Sequence, residues 1–365
     1  MKTLKSLVLA ICILGLPLYG QSALRDAFRQ HFLIGGALNE NQFSGRDRRG
    51  EAIAETHFNT ISPENILKWQ SLQPEEGRFT FAGADRYVDF GERNKMHIVG
   101  HTLVWHHQTP KWVFEGPDGK PASKDILTAR LRKHIQAVVG RYKGRIGAWD
   151  VVNEALNEDG TLRESLWLKI LGKEYISLAF KFAHEADPSA DLYYNDYSLE
   201  NEPKRKGAVE LIKWLQSQNV RVSGIGTQSH HMLDQPSISD QEKTIIDFGK
   251  LGLKIAITEL DVDVLPRPRD HSGDIVSVAY REDLDPYKKG MPDEMQQRLA
   301  DRYEAIFRVF VKHHEIIDRV TFWCVTDGDS WLNGWPIQGR TNHPLLWDRS
   351  GKPKPAFDSV LSTVK

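Results

Sequence analysis

Eight short runs of apolar and β-branched residues recur along this chain, and what separates them limits the folds open to it. They fall at 33–38, 57–62, 97–105, 146–152, 191–195, 222–229, 254–260 and 320–325. Runs of that length read as buried strands. Between most of them lie amphipathic segments long enough for a helix, among them 126–142, 204–218 and 293–313. In the first of these, Leu127, Leu131, Ile135, Val138 and Val139 recur at helical spacing. Strand and helix alternating in this way predict parallel strands joined by crossover helices. Eight such units predict a closed α/β architecture, the (β/α)8 or TIM barrel. A doubly wound open sheet is the alternative. It wants a glycine-rich phosphate turn after the first strand, which Gly35-Gly36-Ala37-Leu38-Asn39 does not supply.

No linker, low-complexity stretch or repeat interrupts the chain, so residues 24–365 read as one domain. The first residues stand apart. Lys2 and Lys5 precede an uncharged apolar run over 7–18, followed by Gly20, Gln21, Ser22 and Ala23. That is the plan of a secretory signal peptide, expected over residues 1–23. The run is shorter than the roughly 20 residues a spanning helix needs, and Cys12 lacks the small-residue context of a lipid-anchored cysteine. The expectation is a secreted monomer, extracellular or periplasmic, with no membrane anchor.

Charge and cysteines narrow the function classes. Lys plus Arg number 48 against 49 Asp plus Glu, so the basic excess of a phosphate-binding chain is missing and no nucleic-acid partner is expected. Beyond the leader only Cys324 remains, which excludes an intramolecular disulfide. Stability must then come from a large core, which a chain of this length can bury. Cys324 sits in an apolar run and reads as a core thiol.

The ends of the runs carry the chemistry. They read Ser62-Pro63-Glu64-Asn65, His101 to His106, Asn153-Glu154, Tyr194-Asn195-Asp196, Gln228-Ser229-His230, Thr258-Glu259-Leu260-Asp261, and Trp323 followed by Asp327 and Trp331. One carboxylate after a strand is often only a helix cap. In a barrel, however, all these ends open on one face, where active sites lie. Glu154 and Glu259 are the pair best placed to face each other, and glycoside hydrolysis needs two carboxyl groups flanking the scissile bond. Asn153 adjoins Glu154 and is placed to meet a sugar 2-hydroxyl. Asp261 shares a strand face with Glu259, and His230 ends the neighbouring strand, which predicts an Asp261–His230–Glu259 relay. Among ten tryptophans, Trp105, Trp323 and Trp331 are the candidates to stack on sugar rings. Trp149, Trp167 and Trp214 read as core; Trp69, Trp112, Trp335 and Trp347 are undecided.

These residues, in this order, resemble glycoside hydrolase family 10, whose members are mostly endo-β-1,4-xylanases. The resemblance takes in Pro63-Glu64-Asn65-Ile66-Leu67-Lys68-Trp69, His101 to His106 and Trp149 to Glu154. It continues through Tyr194 to Tyr197, Gln228-Ser229-His230, Ile257 to Asp261 and Thr326 to Trp331. It implies a retaining endo-β-1,4-xylanase acting on xylan and xylo-oligosaccharides, with no cofactor and no metal. It further implies Glu154 as acid/base and Glu259 as nucleophile, with His101, Asn153, Gln228 and His230 around the sugar at the cleavage point. Glu64, Asn65, Lys68 and Trp105 become glycone-side contacts, and Trp323 and Trp331 cleft walls. Thr227, Cys324 and the long charged loop over 265–293 depart from the family pattern.

Two rival readings remain. Histidines 101, 106, 107, 230 and 231 suit a metal-dependent hydrolase, but the His-x-His pair that many metal barrels keep after strand one is missing. A glycan-binding protein on a dead barrel would be expected to have lost a carboxylate, and both glutamates are present.

Overall fold

The computed structural model describes residues 22–267 and 278–365; the expected leader therefore lies outside the described residues up to residue 21. Nine strand segments build one sheet: β1 (Leu33–Leu38), β2 (Thr60–Pro63), β3 (His97–Val104), β4 (Ala148–Asn153), β5 (Asp191–Asp196), β6 (Gly224–Thr227), β7 (His230–Met232), β8 (Lys254–Asp263) and β9 (Ile317–Phe322). Consecutive strands from β1 to β6 pair in parallel, β6 pairs with β8, β8 with β9, and β9 returns to β1. The ring is closed. Segment β7 continues the sixth barrel strand and pairs with β8 through His230 and Asp261. Ser229, at φ 57°, breaks the two apart in the left-handed region.

The expected helices form with small shifts. Residues 124–141 make the helix Lys124–Arg141, whose first turn is capped by Ser123 accepting from the Ile126 N–H at 3.3 Å. Its buried stripe is Leu127, Leu131, His134, Ile135, Val138 and Val139, each aliphatic member contributing about 1.5–3 kcal/mol by leaving water. The other two are Glu202–Ser217 and Asp293–Lys312.

Several strand boundaries differ from expectation by a few residues, and two of the shifts have a visible local cause. The second was expected from residue 57 but begins at Thr60. Asp47 accepts from the N–H groups of Arg49 and Gly50 and so starts the helix Arg48–His57, which holds His57 until Phe58 turns extended. The last strand was expected to run through Cys324 but ends at Phe322, and Cys324, at φ 92°, cannot be extended strand.

The main core lies between the strands and the helices. Inside the ring Val99, Ala148, Tyr193 and Ala256 form a separate layer. On the opposite face of the same strands, Gly100 leaves room for Trp149 of the main core, since a Cβ on it would stand 2.1 Å from the Trp149 ring. Among the described residues no helix is long and apolar enough to cross a membrane.

Candidate active site

The C-terminal ends of the strands surround a cleft of about 660 Å³. It is lined by Glu64, Asn65, Lys68, His101, Trp105, Asn153, Glu154, Gln228, His230, Glu259, Trp323 and Trp331. Asp261 lies behind this lining, held against His230.

Glu154 follows the last residue of β4 with φ 57°, a conformation that turns its side chain off the strand. Its Oε2 accepts from the Trp105 indole N–H at 2.8 Å. Its Oε1 accepts from Gln228 Nε2 at 3.0 Å and Asn153 Nδ2 at 3.2 Å. All three donors are neutral.

Glu259 sits within β8 and is 5% exposed. Its Oε1 accepts from Asn195 Nδ2 at 2.9 Å, and its Oε2 lies 3.3 Å from His230 Nε2. On the far side of the imidazole, Nδ1 is 3.0 Å from Asp261 Oδ1. Burial opposes charge on His230, but the Asp261 and Glu259 carboxylates outweigh it and push its pKa up to about 10. His230 is therefore a cation at neutral pH. Asn195 Nδ2 also donates to Asn153 Oδ1 at 2.9 Å, so a chain of amides links the two glutamates.

The remaining groups are equally tied down. His101 Nδ1 lies 3.0 Å from Asp150 Oδ2, a contact that fixes the orientation of the ring. Lys68 Nζ donates to Asn65 Oδ1 at 3.0 Å, and Asn65 Nδ2 to Glu64 Oε1 at 3.2 Å. Burial lowers the Lys68 pKa against the pull of Glu259, Glu64 and Glu154. Burial raises that of Glu64 against the pull of Lys68. Trp323 stands edge-on to His101 at 5.5 Å between ring centroids.

A cleft walled by indoles, with two glutamates held by different partners, is built for a sugar polymer. The model of "Glycosyl hydrolase family 10" matches residues 23–363. The chain belongs to glycosyl hydrolase family 10. It is 41% identical over 343 residues to endo-1,4-β-xylanase A of Xylanibacter ruminicola, covering 93% of each protein. It is 39% identical to the endo-1,4-β-xylanase of Geobacillus stearothermophilus, covering 93% of this chain and 98% of that one. Among solved structures, a family 10 endoxylanase from a sugarcane soil metagenome superposes with a TM-score of 0.90 at 44% identity, covering 94% of this chain and 100% of that one. A variant solved in complex with xylotriose superposes with a TM-score of 0.84 at 34% identity, covering 93% and 99%.

Within this family 10 chain, some residues that the sequence placed at strand ends without a role turn out to hold the site together. Asn195 touches both Asn153 and Glu259; its place at the end of β5 was a signal, but an amide there carries no charge to mark it. Asp150, three residues before Asn153 on β4, shows its part in the site only through His101. Trp335, undecided from sequence, lines the cleft and stacks on Trp331 at 4.7 Å and 14°. Trp69 and Trp347 are buried, Trp112 packs half-buried on the core, and Trp149 and Trp167 are fully buried. Trp214 is half-buried with the Lys173 ammonium 4.2 Å over its ring.

Of the three departures, Thr227 and Cys324 are not among the residues that line the cleft. Thr227 donates to the buried Glu200 at 3.2 Å, and Cys324 is a buried free thiol. Of the loop over 265–293, residues 268–277 lie outside the described residues. The histidines do not converge as a ligand set: His101 faces Asp150, His230 faces Asp261 and Glu259, and His231 faces Glu200. Burial first, then His107, pushes the His106 pKa down to about 3.

Proposed function

We propose that this chain is a secreted, retaining endo-β-1,4-xylanase that cleaves xylan by double displacement. Glu154 is the acid/base and Glu259 the nucleophile. The observation that carries this reading is the difference between their partners. Glu259 lies against the imidazole of His230, which Asp261 holds from the other side, whereas the hydrogen bonds accepted by the Glu154 carboxylate come from the neutral donors Trp105, Gln228 and Asn153. Two carboxyl groups in contrasting surroundings are what divides attack from proton delivery.

In the first step Glu259 attacks the anomeric carbon while Glu154 protonates the leaving oxygen. In the second, Glu154 takes a proton from water, which hydrolyses the glycosyl ester. His230, oriented by Asp261, steadies Glu259; Asn153 meets the sugar 2-hydroxyl. His101 and Gln228 contact the same sugar, and Glu64, Asn65, Lys68 and Trp105 hold the glycone side. Residues 1–23 act as a leader that is removed, which fits a family match starting at residue 23. The mature protein works as a monomer.

The substrate assignment follows from shape and from the endo-1,4-β-xylanase relatives. Xylose lacks the hydroxymethyl group at C5, so walls formed by Trp323 and Trp331 admit xylan and clash with cellulose. Rates on unsubstituted xylan, arabinoxylan, mixed-linkage glucan and carboxymethyl cellulose test it. A preference for xylan over cellulose of at least about tenfold, ~1.4 kcal/mol, is expected; equal rates would overturn the assignment.

A further inference from the structure

The cleft wall formed by the end of β8 and the segment after β9 carries a cation that the reaction above does not use. We propose that Arg267 is a specificity-determining residue whose guanidinium receives the carboxylate of a uronic acid side group on the xylan chain. The inference rests on the xylanase reading and names one decoration that the cleft selects.

Arg267 lies four residues beyond Asp263, the last residue of β8, and lines the cleft with Trp335 and Pro336. Its side chain is 32% exposed. The guanidinium carbon lies 5.6 Å from the centroid of the Trp335 ring. Trp335 in turn stacks on Trp331, whose indole N–H reaches Asp261 at 2.7 Å. The arginine is thus set at one end of an aromatic ladder whose other end, Trp331, packs 4.9 Å from the His230 ring. Holding the guanidinium in place beforehand lowers the entropy lost on binding.

Among the described residues its donors are mostly unspent. A guanidinium carries five N–H groups. Here Nε donates to Asp263 Oδ2 at 2.9 Å, and among the described residues the terminal nitrogens have no hydrogen-bond partner. Asp263 has other partners: the Leu265 N–H at 3.0 Å, Asn342 Nδ2 at 2.7 Å, and the buried Arg340 at 3.9 Å. Asp285, also buried in this corner, accepts from the Thr341 N–H at 3.0 Å. Both of these carboxylates lie behind the wall. Of the two arginines, Arg267 is the one that reaches the cleft.

Unsubstituted xylose offers only hydroxyls and C–H faces, which the indoles and amides already match. A planar fork of N–H donors matches a carboxylate with two parallel bonds. The uronic acid is the substituent that brings one, and arabinose does not.

The test compares kcat/KM of the wild type, Arg267→Gln and Arg267→Lys on glucuronoxylan, on the same polymer with its carboxyls reduced to alcohols, and on linear xylan. Reduction keeps the bulk of the side group and removes its charge. The wild type should prefer the native polymer over the reduced one. That ratio should fall about tenfold in Arg267→Gln, the scale of one charge-assisted contact, and recover in part in Arg267→Lys. It should also shrink in the wild type as salt rises from about 0.01 to about 1 M. A ratio unchanged in Arg267→Gln, whether all rates fall together or none does, would overturn the proposal, as would a wild type indifferent to reduction. A wild type inert on linear xylan would instead bring down the xylanase reading beneath it.

Discussion

The indole N–H of Trp331 donates to Asp261 Oδ2 at 2.7 Å, while the other oxygen of that carboxylate faces His230. A tryptophan of the cleft wall therefore helps to fix the group that orients the imidazole beside Glu259. The cleft wall and the His230–Asp261 pair are one connected unit.

Asp261→Asn tests the relay. The His230 pKa stands at about 10, against an ordinary value of 6.5. A raised folded-state pKa gives stabilisation that is complete below about pH 6.5 and is lost as the pH climbs toward 10. Removing the Asp261 charge should bring the His230 pKa down and move that loss to lower pH. Activity should fall at least about tenfold, the cost of a charge-assisted hydrogen bond. The alkaline limb of kcat/KM should move to lower pH in parallel. An unchanged pH–rate profile would reduce Asp261 to a loop anchor.

Trp331→Phe separates the two tasks of that residue. Phenylalanine keeps an aromatic face for the sugar but has no N–H for Asp261. The variant should lose kcat with little change in KM, and shift the alkaline limb in the same direction as Asp261→Asn. Trp331→Ala should raise KM as well. A rise in KM alone in the phenylalanine variant would mean that the bond to Asp261 does not matter for the reaction.

Lys354→Met addresses stability. Lys354 is buried, with Nζ 2.9 Å and 3.0 Å from the two oxygens of Asp327 and 2.8 Å from the His343 carbonyl. Deleting the cation strands a buried carboxylate, which costs about 3–5 kcal/mol. A melting temperature lower by on the order of 10 °C is expected. A change of a degree or two would show that water or a neighbour replaces the lysine.

Much of this architecture was legible in the chain because barrel strands are buried on both faces and read as compact apolar runs. Where the reading slipped, a local preference was stronger than the run. Asp47 nucleated a helix that took His57, and the backbone at Cys324 left the extended region early. The polar side chains after each strand were legible because a barrel gathers them on one face. Asn195 and Asp150 were harder. Neither is recognisable until its partner across the barrel is known, and sequence spacing does not bring β5 to β4 and β8. Trp335 and Arg267 depend on how the segment after β9 folds over the wall, which no period in the sequence describes.

The central claim is the division of labour between Glu154 and Glu259, and the anomeric configuration of an azide adduct reads it most directly. In Glu154→Ala, an aryl xylobioside whose leaving group needs no protonation should still form the ester on Glu259. Azide attacking that ester should release a β-glycosyl azide, with the configuration set by two inversions. In Glu259→Ala no ester can form, and any azide product should be α. Proton NMR of the two products decides it: β from Glu154→Ala and α from Glu259→Ala is the predicted result, and the reverse pairing would contradict the account.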